Sequence, residues 1–459
     1  VAENGGGAFL IPWILFMFLW AVPLVLTEFA LGKHTRRGPA GAIGQLIGDR
    51  YNWMGVFVGL VTCFITFYYS VVTGWCLKYF FASLGSQLFT AADSETYWTS
   101  FTNDGFQPIF FHLIAMTVGC MIIYRGVVRG IERTNRVLIP LLFLLLVVAA
   151  LRAVTLPGAV KGLGFLFTPV WKDLLNYRVW LEALTQSAWS VGAGWGLITT
   201  YAVYMRKKDG FVLTSYTTAF GDYAASLLAG IAVMCTVFAV LPEAQAHKAL
   251  GSGNEGLTFI WLPQLFASIP GGRFFMPLFF LALSFAAISS LIAQLELVSR
   301  MAVDLGLTRR QAVPTIGVLC FVLGLPSAWR MGFFKNQDWV WSLGLIVSGL
   351  FIATAVLKYG ARRFRGELIN TAYEPRPVGS WYGFVLVVLI PIQFLALMAW
   401  WLYQAATVYD PEGWWNPIRI LSVGTVVFQC GLLILILVLT NRFWVARVKA
   451  SSPNKPRSE

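Results

Sequence analysis

Two short stretches carry groups that could do chemistry in an otherwise apolar chain. In FAAISSLIAQLE, Ser289 and Ser290 stand beside the small Ala286 and Ala287. Hydroxyl, carbonyl and carboxylate oxygens are the ligands that a hard cation prefers, so the pair suits cation binding. It suits equally well a bland role, with hydroxyls bonded back onto their own helix and small residues allowing close packing. The second stretch is WSVGAGWG, Trp189 to Gly196. Each glycine inside a helix costs roughly 1 kcal/mol relative to alanine, and here three alternate. Gly192 and Gly196 form a GxxxG pair, a helix-packing pattern. Packing alone needs neither Gly194 nor two flanking tryptophans. A broken helix frees carbonyls and amides that can hold ions and a small zwitterion within a bilayer.

Four acids also fall in or near apolar runs: Glu28, Glu182, Asp222 and Glu296. A carboxylate at mid-bilayer costs roughly 2.5–3.5 kcal/mol on insertion scales, which makes each a functional candidate. Glu182 begins its run and reads as solvated at an interface. Asp222 lies deep in its run and reads as functional. Glu28 and Glu296 also suit paired structural acids. Enzyme chemistry has little support. His34, His112 and His247 are dispersed, and no H-E-x-x-H or nucleophile motif occurs.

The elements that must position these groups are membrane helices. Of 459 residues, 58% are hydrophobic and 12% charged, and mean hydropathy is +0.69; globular domains carry about 25% charged residues. Runs long enough to cross ~30 Å of hydrocarbon give eleven spans: 8–32, 53–85, 107–124, 137–155, 180–205, 214–241, 274–303, 311–328, 339–358, 381–404 and 417–440. The reading is an all-α polytopic membrane protein, with one transmembrane domain over 1–440 and a cytoplasmic tail over 441–459, whose end SSPNKPRSE reads as disordered. If 33–52 is cytoplasmic and sides alternate, 24 of the 34 basic residues fall inside and eight outside. That bias is the positive-inside rule. The net charge of +13 therefore orients the chain in a lipid bilayer and implies no nucleic-acid partner.

Cys63, Cys76, Cys120, Cys235, Cys320 and Cys430 are scattered without CxxC spacing and read as packing residues. The absence of N-x-S/T sequons and cysteine pairs from the outer loops suits a bacterial inner membrane. Segment 242–273 reads as a helical hairpin over the outer face or a re-entrant segment. The opening VAENGGGAF is polar and glycine-rich. Eleven spans beginning outside lead to the expectation of a further span before it.

In order along the chain stand AENGGGAFLIPW, EFALG (28–32), FYYSVVTGW (67–75), RGVVRGIER (125–133), GLGFLFTP (162–169), QSAWSVGAGWG (186–196) and FAAISS (285–290). This set resembles the neurotransmitter:sodium symporter family, in its bacterial leucine-transporter-like branch, over nearly the whole length. The resemblance implies an inverted-repeat fold with eleven of the usual twelve transmembrane helices present. It also implies symport of an amino acid with sodium ions by a monomer or homodimer. By the same resemblance Tyr69 contacts the substrate carboxylate, while Ile65, Trp195 and Gln294 line the side-chain pocket and Trp189 forms a lid. Ser190 and Asp222 match ligands of a first sodium site; the Ala286 carbonyl, Ser289 and Ser290 match ligands of a second. Glu28 matches an acid beside the unwound segments.

Three departures from the family pattern refine this expectation. Gly192 replaces a serine of leucine-transporting members, which enlarges the pocket toward hydrophobic or aromatic amino acids. Asp222 stands where asparagine is common. Trp13 stands where chloride-dependent members carry a tyrosine, although Gln186, Ser190 and Ser226 match the other chloride ligands. A fixed carboxylate beside sodium implies that chloride is not required. The family's first helix, which supplies backbone ligands to both ions, would precede Ala2; without it, residues 1–459 are expected to show no sodium-coupled uptake.

Overall fold

An apolar segment in hydrocarbon can satisfy its own backbone only as a helix, and the computed structural model is built from helices. It describes residue 1, residues 4–85, residue 88 and residues 94–451. Among these, the extended pairing is a single bridge between Gly6 and Pro169. The membrane-length helices open with α1 (Gly7–Thr35), α2 (Asp49–Leu84), α3 (Gln107–Tyr124) and α4 (Val127–Val154). A broken pair follows, α5 (Tyr177–Ser190) and α6 (Leu197–Ala202). Then come α7 (Val212–Val240), α8 (Gly272–Asp304), α9 (Arg309–Trp329), α10 (Met331–Tyr359) and α11 (Trp381–Tyr409). Last are α12 (Val423–Leu439) and α13 (Asn441–Ala450), which meet at 62°.

Each of the eleven sequence spans lies on one of these elements. The differences are at the ends. Helix α4 starts at Val127 because a π-helical turn, Val127–Glu132, adds charged residues that hydropathy passes over. Helix α10 starts at Met331, which places Asp338 inside a helix rather than before one. The first ten residues of the expected tail are helical as α13, and Asn441 fastens it by accepting from the Trp53 N–H at 2.9 Å and donating to the Asp49 carbonyl at 3.0 Å. The end of the tail, 452–459, lies outside the described residues. Segment 242–273 folds as a hairpin, with helices Glu243–Leu250 and Leu262–Ser268 as its arms.

The centre of the bundle is α2, whose most apolar stretch is 78% buried, against 17% for α4. Helix α2 packs on α3, α8, α9 and α10, while α1 packs on α5 and α6. The α1–α6 approach is close. A Cβ on Gly32 would stand 2.1 Å from the Thr199 carbonyl oxygen, so only glycine fits. Proline shapes α1 as well. Pro23 has no N–H for the carbonyl four residues earlier, and that carbonyl, on Leu19, accepts from Gln393 Nε2 of α11 at 3.3 Å. These contacts seat α1 against α6 and α11, beside the α5–α6 break.

Candidate functional site

Residues 191–196 leave the helix, and Gly192, Gly194 and Gly196 take φ of +72°, +91° and +80°. An L-residue with a side chain would sacrifice about 1–2 kcal/mol in that left-handed region. The glycines therefore serve the break. Two of them also serve packing: a Cβ would lie 3.0 Å from Gly349 Cα at Gly194 and 2.4 Å from Pro39 Cγ at Gly196. At Gly192 the nearest atom would be Leu197 Cδ1 at 3.6 Å, an ordinary van der Waals contact, so a Cβ there would meet no clash.

Backbone groups freed by the break find partners on α1 and α2. Glu28 is fully buried. It accepts the Gly194 N–H at 2.8 Å, the Thr199 N–H at 3.0 Å and the Thr199 hydroxyl at 3.1 Å. A carboxylate at the start of α6 also meets the positive end of that helix. From α2, the Thr62 hydroxyl donates to the Trp195 carbonyl at 2.7 Å. The rings of Trp189 and Trp195 face each other edge-on at 5.2 Å.

On the near side of the break, the Ser190 hydroxyl donates to Asp222 Oδ2 of α7 at 2.5 Å. One turn earlier, the Tyr223 and Ser187 hydroxyls lie 2.6 Å apart, so one donates to the other and the remaining proton is free for the Trp13 carbonyl, 3.1 Å from Tyr223 and 3.4 Å from Ser187. The Trp13 ring stacks on Tyr223 at 4.1 Å. Trp13, Gln186 and Ser226 all line a cavity of about 340 Å3.

On α8, the Ser289 hydroxyl donates to the Ala286 carbonyl at 2.8 Å, so two of the expected ligand oxygens are neighbours. Ser290 faces the Tyr69 hydroxyl of α2. Ile65 is buried one turn from Tyr69, on the same helix face. Gln294 stands in the same relation to Ser290; it is buried, and its Oε1 has no protein partner. The structure thus joins Ser190 to Asp222, Trp189 to Trp195 and Tyr69 to Ser290. The oxygens in these separate contacts and in the Ser289–Ala286 bond are hydroxyl, carbonyl and carboxylate, the donor types that suit sodium.

Two of the four acids stand apart. Glu182 accepts from Trp400 Nε1 at 3.4 Å. Glu296 is a structural acid, paired with Arg309 at 2.6 Å and accepting from the Tyr204 hydroxyl at 2.7 Å. Asp338, which faces the Tyr68 hydroxyl, gives no sequence signal because the apolar run begins at 339, eight residues after the helix starts. Thr62 and Thr199 gave no signal in the sequence, since threonines are common in apolar helices and only the fold aims these two at the break.

Residues 1–109 and 104–445 match the model of the sodium:neurotransmitter symporter family. The chain belongs to that family. An uncharacterized sodium-dependent transporter of Methanocaldococcus jannaschii is 30% identical, with 87% of this chain and 84% of the relative covered. The uncharacterized sodium-dependent transporter YhdH of Bacillus subtilis is 27% identical, with 85% and 89% covered. Among solved structures, MhsT in complex with L-phenylalanine superposes with a TM-score of 0.76 at 30% identity, covering 87% of this chain and 92% of that one. This symporter-family chain therefore has the leucine-transporter-type helical fold, and the nine helices among its described residues that are long and apolar enough to cross a membrane, ten if the bent α12–α13 pair is one span, are those of a membrane transporter family rather than of an enzyme family.

Proposed function

We propose that this family member is a sodium-coupled symporter of hydrophobic or aromatic amino acids that works by alternating access. The observation that carries the reading is the broken helix α5–α6, with its freed backbone fixed by Glu28 and flanked by Ser190 and Asp222. In this reading Ser190 and Asp222 hold one sodium ion, and the Ala286 carbonyl with Ser289 and Ser290 holds a second. Tyr69 holds the substrate carboxylate, Trp189 closes over the substrate, and Ile65, Gly192, Trp195 and Gln294 shape the side-chain pocket. The lack of a side chain at Gly192, where a Cβ would meet no clash, supports a bulky substrate side chain, as does the phenylalanine bound by the similar MhsT. The orphan Gln294 oxygen is suited to a ring N–H on the substrate.

The carboxylate of Asp222 supplies beside sodium the negative charge that chloride would otherwise bring, so transport proceeds without chloride. The distribution of basic residues supports an inner-membrane protein with a cytoplasmic C-terminus. The deciding experiment is uptake of labelled phenylalanine, tryptophan and alanine by proteoliposomes holding the full-length protein. Uptake driven by an inward sodium gradient, and lost when potassium replaces sodium, is the expected result. Sodium-dependent binding without flux would instead identify a non-transporting receptor of the same fold.

A further inference from the structure

A cavity of about 1100 Å3 opens at the end of the molecule where α13, the end of α8, the loop around residues 367–373 and the short helix Pro39–Ile47 meet the end of α1. None of the residues proposed to hold substrate or sodium lines it. Six fixed cations do: Lys33, Arg36, Arg37, Lys207, Arg300 and Lys449. The three lining carboxylates are already engaged. Asp49 pairs with Lys449. Asp304 pairs with Arg300 at 2.9 Å and accepts the Gly38 N–H at 2.7 Å. Glu367 pairs with Arg363 at 2.9 Å and accepts from the Tyr359 hydroxyl at 2.6 Å. Lys33, Arg36 and Arg37 donate to the backbone carbonyls of Asp209, Val203 and Val448 rather than to carboxylates. Asp209 and Glu374, outside the lining, offset Lys33 in part.

The walls hold a second, independent sign. Asn52 Nδ2, Arg300 Nε and Thr371 Oγ1 are buried, belong to residues lining this cavity, and have no protein partner. Asn52 is 2% exposed. A buried polar atom without a partner has lost water and gained nothing, and three such donors lie in the walls of one cationic cavity.

We propose that this cavity binds a phosphate-bearing anion. A phosphate group brings up to two negative charges and three strong acceptor oxygens, which matches excess cations combined with orphan donors. Guanidinium groups recognise that geometry well. The volume stands just above the ~300–1,000 Å3 usual for small-ligand sites, so an organic phosphate or a lipid headgroup fits. The site is separate from the transport site, so a ligand here would act on the protein without competing with the amino acid.

The test uses the full-length protein in neutral detergent, titrated with pyrophosphate at constant ionic strength. Saturable binding with a raised melting temperature is expected, and sodium chloride at equal ionic strength should produce neither. The double variant Lys207→Gln, Thr371→Val should bind at least about tenfold more weakly while sodium-dependent amino-acid binding is unchanged. A parallel arm compares nanodiscs of phosphatidylglycerol and phosphatidylcholine. Pyrophosphate that competes only in phosphatidylglycerol assigns the site to a headgroup, and equal binding in both assigns it to a soluble phosphate. Absence of saturable binding in all three settings, or binding by a folded double variant at wild-type strength, overturns the proposal. Wild-type titration alone decides should the variant fail to fold.

Discussion

At the scale of single residues, Asp222 presents a carboxylate inside a membrane helix with the Ser190 hydroxyl as its donor at 2.5 Å. One hydroxyl does not neutralise a buried charge, and an uncompensated one usually costs several kcal/mol; a bound cation supplies what is missing. Sodium-driven uptake should therefore persist when gluconate replaces chloride. Asp222→Asn should abolish uptake or make it depend on chloride, and wild-type uptake that collapses without chloride would refute this role. Gly192 gives a second residue-scale prediction. Gly192→Ser adds backbone strain of about 1–2 kcal/mol that every substrate feels alike, so the informative quantity is a difference. Affinity for tryptophan or phenylalanine should fall relative to alanine by a further ~1–3 kcal/mol, the value of lost fit in an apolar pocket. Equal losses would show that the space at Gly192 is not the side-chain pocket. Asp222, Ser289 and Ser290 stand out in the sequence as polar groups in apolar runs; the structure gives Asp222 the Ser190 hydroxyl and bonds Ser289 back onto its own helix. Arg309 does not stand out, because its pairing with Glu296 crosses the turn between α8 and α9 and no spacing rule marks it.

At the scale of elements, the break between α5 and α6 is a joint with a fixed axle. Glu28 ties the break itself to α6 through Gly194 and Thr199, and Thr62 holds Trp195 between them. Glu28→Gln would turn one acceptor oxygen into an NH2 that confronts backbone N–H groups. It should lower the melting temperature and weaken substrate binding together, whereas a purely peripheral acid would change neither. The three glycines can be separated by the same measurement. Gly192→Ala and Gly196→Ala both incur the left-handed strain, but only the second drives a methyl to 2.4 Å from Pro39 Cγ. Overpacking of that kind costs about 1–3 kcal/mol, so Gly196→Ala should melt several degrees below Gly192→Ala. The alternating glycines announced the break from sequence. Their division of labour did not, because it depends on Pro39 and Gly349, which are remote in sequence. Likewise the apolar runs marked all eleven spans, while the π-helical start of α4 and the helical α13 carry too many charges to register as apolar.

At the scale of the whole molecule, the question is whether the proposed ion sites supply enough free energy to concentrate a substrate. A tenfold sodium gradient is worth about 1.4 kcal/mol per ion, and 100 mV adds about 2.3 kcal/mol per charge. The fold places hydroxyl and carboxyl oxygens at two positions, Ser190 with Asp222 and Ser289 with Ser290, on α5, α7 and α8. Two coupled ions set a ceiling that depends steeply on voltage. In proteoliposomes with a tenfold gradient and the potential clamped at zero, a neutral amino acid should accumulate up to about 10²-fold; at 100 mV, inside negative, the ceiling rises to about 10⁵-fold. One ion would limit these ratios to about tenfold and a few hundredfold. Steady-state accumulation measured at both voltages therefore counts the ions without resolving either site. Ratios held at the one-ion ceiling would remove one of the two sites from the cycle, and Asp222→Asn against Ser290→Ala would then show which of them remains.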